Sequence, residues 1–270
     1  MQVYKYMDIG TAKPSKEMRR LLPHHLIDIL EPSRQFSVGD FVRNCDSLIP
    51  EIAGRGKIPV ISGGTAFYLK TFLYGLPSTP LGDSKIRNEV FRDLSRKGIE
   101  FLYNELCGFD PKAAEKIQKN DTYRISRAVE VIRQTGKAFS SFAPPKNPRE
   151  KYRCCFIGLN REREVLYSRI NKRVVDMFKQ GLPDEVGTLK RMGFTAEDPG
   201  MKGIGYREFF EAEKTGCPGM QDILEKIQQN TRRYAKRQIT FFKSIDYVRW
   251  FSPDDNKKIK SYISRFYEDQ

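Results

Sequence analysis

A short apolar run, Lys57-Ile58-Pro59-Val60-Ile61-Ser62, ends in Gly63-Gly64-Thr65, and an apolar, aromatic segment from Ala66 to Tyr74 follows. Strand, tight glycine turn and helix in that order form the unit of a parallel α/β sheet, and no other passage narrows the fold class as much. Such a turn sits at the carboxyl end of its strand, where open α/β sheets hold their ligands. It exposes backbone N–H groups and one hydroxyl at a helix N-terminus, which together make an anion site. A tight turn with a capping threonine fits the same three residues. Ahead of the turn, Phe41, Cys45, Leu48, Ile49 and Ile52 recur at helical spacing and predict a helix over Phe36 to Ile52.

A phosphate loop of the form G-x-x-x-x-G-K-[ST] would complete a core of this kind. Gly56-Lys57 is followed by Ile58 and Gly136-Lys137 by Ala138, and neither pair has the upstream glycine. Met1 to Pro14 reads as the end of a strand and a substrate loop, so the phosphate-handling part is expected to be cut short in this chain.

From Gly75 the character changes. The breaker-rich Leu76-Pro77-Ser78-Thr79-Pro80-Leu81-Gly82 is a linker, and Asp83 caps a helix with Ile86, Val90 and Leu94 on one face and Gly98 past its end. Asp110-Pro111 starts a second helix, and Asp121 starts a third over Thr122 to Gln134, closed by Gly136. Three short helices between strand-like segments predict an inserted helical subdomain, residues 76–148, ending at Ala143-Pro144-Pro145-Lys146-Asn147-Pro148. It divides a core of residues 1–75 from a return to that core over 149–270. There Tyr152 to Leu159 predicts a strand and Arg161 to Gln180 a helix with Leu166, Ile170, Val174 and Met177 as its stripe. Gln221 to Ser244 predicts a long helix, and Asp246 to Phe251 a final short strand.

Forty-eight Lys and Arg against 34 Asp and Glu give a net charge of +14, which fits a polyanionic partner or a basic, inert surface. No run is apolar enough to cross a bilayer and no signal segment opens the chain, so a cytoplasmic protein without membrane contact is expected. Cys45, Cys107, Cys154, Cys155 and Cys217 are odd in number and form no C-x-x-C pair. Reduced, mostly buried thiols are expected, and neither a disulfide framework nor a zinc site.

The cations are patterned. Arg169 and Arg173 lie four apart on one predicted helix, spaced to grip a phosphate or diphosphate from one face, although Glu162, Glu164 and Lys172 on that helix also fit a solvated charged face. Arg124 and Arg127, with Tyr123 and Ser126 beside them, combine charge, a stacking ring and a hydroxyl, as nucleic-acid contact requires, or make a charged surface helix. Thr231 to Lys243 holds five cations and no acid, and no acid occurs between Glu225 and Asp246. A helix of one sign repels itself unless a polyanion lies against it, which favours RNA or DNA contact here. His24 and His25 are the only histidines and have no cluster of further ligands around them, so a structural or substrate-orienting role is read for them and no metal site.

Met1 to Pro14, Pro23 to Asp28, Phe36-Ser37-Val38, Gly63-Gly64-Thr65, Asp121 to Val131, Arg161 to Val186, Gly203-Ile204-Gly205-Tyr206-Arg207 and Thr231 to Thr240 follow one another in an order that resembles the tRNA dimethylallyltransferase (IPP transferase) family. The resemblance covers almost the whole chain. It implies a P-loop NTPase-like fold derived from nucleotide kinases, a helical insertion that holds the anticodon stem-loop, and a helical C-terminal part. It implies transfer of a dimethylallyl group from dimethylallyl diphosphate, with Mg²⁺, to the exocyclic amine of the adenosine 3′ of the anticodon in tRNAs reading U-starting codons. The product is isopentenyladenosine.

By the same resemblance Thr65 and Arg173 are the catalytic positions, acting on the diphosphate as charge grows on it. Met1 and Gln2; Tyr123, Arg124, Ile125, Ser126 and Arg127; Lys202, Gly203, Ile204, Gly205, Tyr206 and Arg207; and Lys236, Arg237, Gln238, Ile239, Thr240, Phe241, Phe242 and Lys243 are expected along the tRNA path. Lys13, His24, Arg87, Arg169 and Arg232 are expected to support the active site of a monomer. Two departures stand out. Phe241 takes a position where the family has Trp, which removes an indole donor, and the family's Asp-Ser, whose Asp is its general base, would precede Met1. The alternatives are an inactive binder of the tRNA anticodon loop and an adenylate prenyltransferase of the cytokinin type.

Overall fold

The computed structural model describes residues 1–80, 82–142, 145, 147–216 and 219–268. Leu81, Ala143, Pro144, Lys146, Cys217 and Pro218 lie outside these residues, and with them part of the expected linker, the expected far boundary of the insertion and one of the five thiols. The chain forms two compact units: Met1–Tyr68 together with the chain from Cys154 onward, and Leu69–Arg153, within which the expected insertion falls.

In the first unit the order is α1 (Lys16–Leu21), α2 (Val38–Gly54), the start of α3 (Ala66–Tyr74), β1 (Ile157–Leu159), α7 (Arg163–Lys179), α8 (Leu182–Arg191), α9 (Arg207–Lys214), α10 (Met220–Lys243), β2 (Arg249–Phe251) and α11 (Asn256–Glu268). A capping box opens α2, with the Asp40 N–H donating to Ser37 Oγ and the Ser37 N–H to Asp40 Oδ2. The core joins Tyr4 and Met7 to Val174, Leu182, Val186, Leu189, Met201, Tyr206, Phe209, Ile223 and Ile227, so α7 to α10 close over the N-terminal segment. β1 and β2 pair in parallel, Gly158 opposite Trp250. A Cβ on Gly158 would lie 2.7 Å from the Trp250 ring, which is why glycine stands there. Beyond β1, Arg161 grips Asp254 with both guanidinium nitrogens, at 2.7 and 3.1 Å.

The fold is mixed α/β and mostly helical, and three strand expectations need correction. Lys57 to Ser62 takes no regular secondary structure and forms no strand pairing among the described residues, and Val60 is 80% exposed. An apolar run becomes a strand only beside a partner that takes its backbone hydrogen bonds, and no such partner lies there. Tyr152 to Leu159 contributes only its last three residues, the length that β2 can match. Met1 to Pro14 keeps a single bridge, Tyr4 to Leu30, and the left-handed backbone of Tyr6 and Ala12 prevents a longer ladder. The sequence reading set no bounds for α1, α8, α9 or α11. Of the described cysteines Cys45 alone is buried, with Cys107, Cys154 and Cys155 half-buried, and none of the four is in a disulfide.

The second unit holds α4 (Ser84–Phe109), α5 (Pro111–Lys116) and α6 (Thr122–Thr135). Gly98 is not a helix end but a break, with φ 79° and ψ 174°, after which the helix resumes through Leu102 and Leu106. Four helical pieces therefore stand where three were expected. Leu102, Leu106, Ile125, Ala128, Val129 and Ile132 form the unit's own core. The Asp110 carboxylate caps α5 through Ala113 N–H and receives Ser140 N–H and Oγ–H. Burial pushes that carboxyl upward, but these hydrogen bonds outweigh it and hold the group below its ordinary range.

Arg133 on α6 ties two turns of α4 together. It donates Nε and Nη2 to Glu105, at 2.8 and 2.6 Å, and Nη1 to Asp93 at 2.8 Å. Hydrogen bonds to charged partners at this depth are strong, and Arg133→Leu leaves the Glu105 carboxylate without its partner and Asp93 with Lys97 alone. It is expected to destabilise the second unit by about 2 kcal/mol, read as a lower urea midpoint for Arg133→Leu than for the native chain.

Candidate functional site

The Gly63-Gly64-Thr65 turn enters α3, and its shape comes from another element: Gln238 on α10 donates Nε2 to the Gly64 carbonyl at 2.7 Å. A Cβ on Gly64 would meet that Nε2 at once, so a larger residue there would have to displace the Gln238 amide. Thr65 is exposed, and its hydroxyl makes no hydrogen bond among the described residues. It does not act as a helix cap. Ala66 N–H donates to the Gly64 carbonyl and Tyr68 N–H to the Thr65 carbonyl, which leaves the exposed Thr65 hydroxyl as the free side-chain donor of the turn.

α10 lies along α7. Arg232 Nη1 donates to Asn171 Oδ1 at 2.5 Å and Gln228 Nε2 to the Asn171 carbonyl at 3.1 Å. That seam puts Asn171 between Arg169 and Arg173, both exposed. Arg169 acts electrostatically on Asp254, and Arg173 has no partner among the described residues. Along the same helix Arg233, Lys236, Arg237, Thr240 and Lys243 are exposed. Arg233, Lys236 and Lys243 form no ion pair among the described residues, and Arg237 sits 5.9 Å from the Tyr234 ring. Ile239, Phe241 and Phe242 are half-buried. Gln238 and Arg232 are thus scaffold contacts that aim the turn and fix α10 on α7, not free surface groups.

The N-terminal loop is held from several sides. Gln2 donates Nε2 to the carbonyls of Thr11 and Ala12, at 3.1 and 3.0 Å. Lys13 is not open to a ligand. Its side chain is 1% exposed and its ammonium donates to Tyr4 O, Asp8 Oδ1 and Asp28 Oδ1. Burial would raise the Asp28 carboxyl, but Lys13 and Arg19 hold it below its ordinary range. His24 is exposed, with Nδ1 2.7 Å from the Leu22 carbonyl, so its other nitrogen faces away.

The segment 202–207 divides. Lys202 and Arg207 line a cavity of about 280 Å³ with Glu197, Glu211 and Lys214. A Cβ on Gly203 would lie 2.5 Å from the Met1 side chain, so these two expected positions do meet, and Ile204 packs on the core. Gly205 and Tyr206 are buried and offer RNA no surface, which corrects their expected role. The Tyr206 hydroxyl donates instead to Glu185 Oε1 at 2.6 Å. Burial first, and the Glu185 charge second, push its pKa far up, so the proton stays. Glu185 was missed in the sequence, where it is one acid in the first turn of a helix.

In the second unit Tyr123 is 80% exposed and Arg124 is open beside Asp121. Ile125 is fully buried in the core, so its expected contact is corrected too. Ser126 is half-buried with an unpartnered hydroxyl. Arg127 donates to the Pro80 carbonyl, and it and Arg87 each lie 3.2 Å from the buried Glu130 carboxylate.

The family model for IPP transferase matches residues 2–245. The chain belongs to the IPP transferase family. The tRNA dimethylallyltransferase of Thermoanaerobacter sp. (strain X514) is 43% identical over 95% of this chain and 82% of its own length. That of Geobacter sulfurreducens is 40% identical over 99% of this chain and 86% of its own. Among solved structures, the full-length tRNA isopentenylpyrophosphate transferase of Bacillus halodurans superposes with a TM-score of 0.69 at 37% identity, covering 99% of this chain and 86% of that one. A eukaryotic dimethylallyltransferase acting on tRNA gives 0.79 at 30% identity, over 97% of this chain and 69% of that one. The P-loop-like fold of these IPP transferases is the fold of this chain.

Proposed function

We propose that this IPP transferase carries a dimethylallyl group from dimethylallyl diphosphate to the exocyclic amine of the adenosine 3′ of the anticodon, in tRNAs reading U-starting codons, as a cytoplasmic monomer. One observation carries the reading: the Gly63–Thr65 turn is held by Gln238, a residue of the same helix that exposes Arg233, Lys236, Arg237 and Lys243 with no acid between Glu225 and its end. Donor chemistry and acceptor binding then share one support.

The allylic C–O bond breaks, the diphosphate leaves, and the amine nitrogen forms a C–N bond and gives up one proton. Thr65 Oγ–H and the turn's N–H groups donate to the departing diphosphate, whose charge grows as the bond breaks. Arg173, with Arg169 one turn before it, supplies positive charge to the same group. The adenosine has to leave its stack to present the amine. Tyr123 offers the second unit's stacking ring, and Arg124 a backbone contact. Mg²⁺ keeps water and rides on substrate phosphates with few protein ligands. Among the described residues no three His, Cys, Asp or Glu side chains cluster as a cage. Held on the diphosphate, the ion would neutralise part of its charge.

The acceptor is tested by supplying labelled dimethylallyl diphosphate with either tRNA or AMP. Label in tRNA alone is expected. Label in AMP would favour the cytokinin-type reaction, and tRNA bound without label would favour a binder of the anticodon loop.

A further inference from the structure

Glu185, in the first turn of α8, receives four hydrogen bonds on one carboxylate. Oε2 accepts from Asp8 N–H at 2.9 Å and Ile9 N–H at 2.8 Å; Oε1 accepts from Gly10 N–H at 3.1 Å and the Tyr206 hydroxyl at 2.6 Å. That fills the lone-pair sites a carboxylate has. Three consecutive N–H groups pointed at one anion form a nest, here built around a side chain of the same chain and not around a ligand. The fit is close: a Cβ on Gly10 would come within 2.5 Å of the Tyr206 ring. Asp8 to Ala12 makes no regular secondary structure, and Ala12 holds φ 47°, so the loop depends on such ties for its shape.

The loop in turn holds Gln2. Both Gln2 bonds to it, Thr11 O and Ala12 O, use the amide nitrogen. The amide is therefore oriented, and Oε1 is left as its one uncommitted polar atom among the described residues. An oriented amide oxygen accepts from an exocyclic amine, as in adenine recognition by Gln side chains. Nothing in the sequence links these parts, since Glu185 and Gly10 stand 175 residues apart.

We infer that Glu185, with Tyr206 as its partner, is a positioning residue for the acceptor adenosine: it fixes the Asp8–Ala12 loop that orients the Gln2 amide. This rests on the proposed tRNA acceptor. The turn at Thr65 forms no part of the arrangement, so the effect falls on the acceptor and spares the donor.

Steady-state kinetics on Glu185→Gln and Tyr206→Phe test it. Glu185→Gln keeps the volume but turns an N–H donor toward the nest, and the loss of one charged acceptor set predicts a rise in KM for tRNA of about tenfold or more. KM for dimethylallyl diphosphate is expected to stay within about twofold. Tyr206→Phe keeps the buried ring, removes one of four donors and is expected to shift tRNA KM the same way by less. Should Glu185→Gln fail to fold, Tyr206→Phe decides alone. Equal changes in both KM values, or an unchanged tRNA KM in a folded variant, would overturn the inference. A native chain that neither binds nor labels tRNA would overturn the functional reading itself, and the inference with it.

Discussion

Thr65→Ala is expected to lower kcat by about 10²–10³-fold while tRNA affinity stays within about twofold. The hydroxyl is exposed and makes no hydrogen bond in the folded chain, so its loss removes no internal contact. What it removes is a donor aimed where charge develops as the diphosphate departs, and an interaction made mainly in the transition state appears in kcat. The turn itself survives, because Gln238 and the Gly64 carbonyl hold it and Thr65 does not. Thr65→Ser is expected to restore most of the rate. Single-turnover kinetics beside filter binding separate the two quantities, and equal losses in both would make Thr65 structural.

The second large effect belongs to α10. Arg233, Lys236 and Arg237 are exposed on a helix with no acid between Glu225 and Asp246. Exposed cations outside any ion pair neutralise RNA phosphates and release counterions, at about 0.7 in salt slope for each phosphate of a single strand. Replacing all three by Ala is expected to flatten the slope of log affinity against log salt by about 2. Stability should hardly change, since exposed cations contribute little to folding. Arg232 is the internal control: its guanidinium is tied to Asn171, so Arg232→Ala should loosen α10 from α7 and move the unfolding midpoint as well. An unchanged slope in the triple variant would remove this face from the RNA interface.

Local chemistry was the legible part of this fold. Asp110 with Pro111, Asp121 and Gly136 each mark a helix end through neighbours a few residues away, and each does so in the structure. Gly98 misled, because a glycine with positive φ breaks a helix without ending the helical stretch when Leu102 and Leu106 still have a core to enter. The run Lys57 to Ser62 misled for the opposite reason: its apolar pattern is real, but strand pairing belongs to two segments and the run alone carries only one of them.

The candidate site divides along the same line. A one-signed helix and a Gly-Gly-Thr turn are local patterns and were visible. Which cations face solvent and which are tied inside, Arg233 against Arg232, depends on α7 and was not visible. Tyr206 stands in a segment of family likeness, yet the fold buries it to hold Glu185. Glu185 itself, Gly10 and Lys13 are joined only through tertiary contacts, and no spacing in the sequence announces them.

In the proposed reaction the Gly63–Thr65 turn and the cationic α10, joined through Gln238, act together on one adenosine. The direct measurement supplies the chain with labelled dimethylallyl diphosphate and two anticodon stem-loops that differ only in the base 3′ of the anticodon, adenosine or guanosine. Label is expected in the adenosine stem-loop, recovered as isopentenyladenosine on nucleoside digestion, and none in the guanosine one, with both bound equally through α10. Label at any other position, or equal label in both, would contradict it.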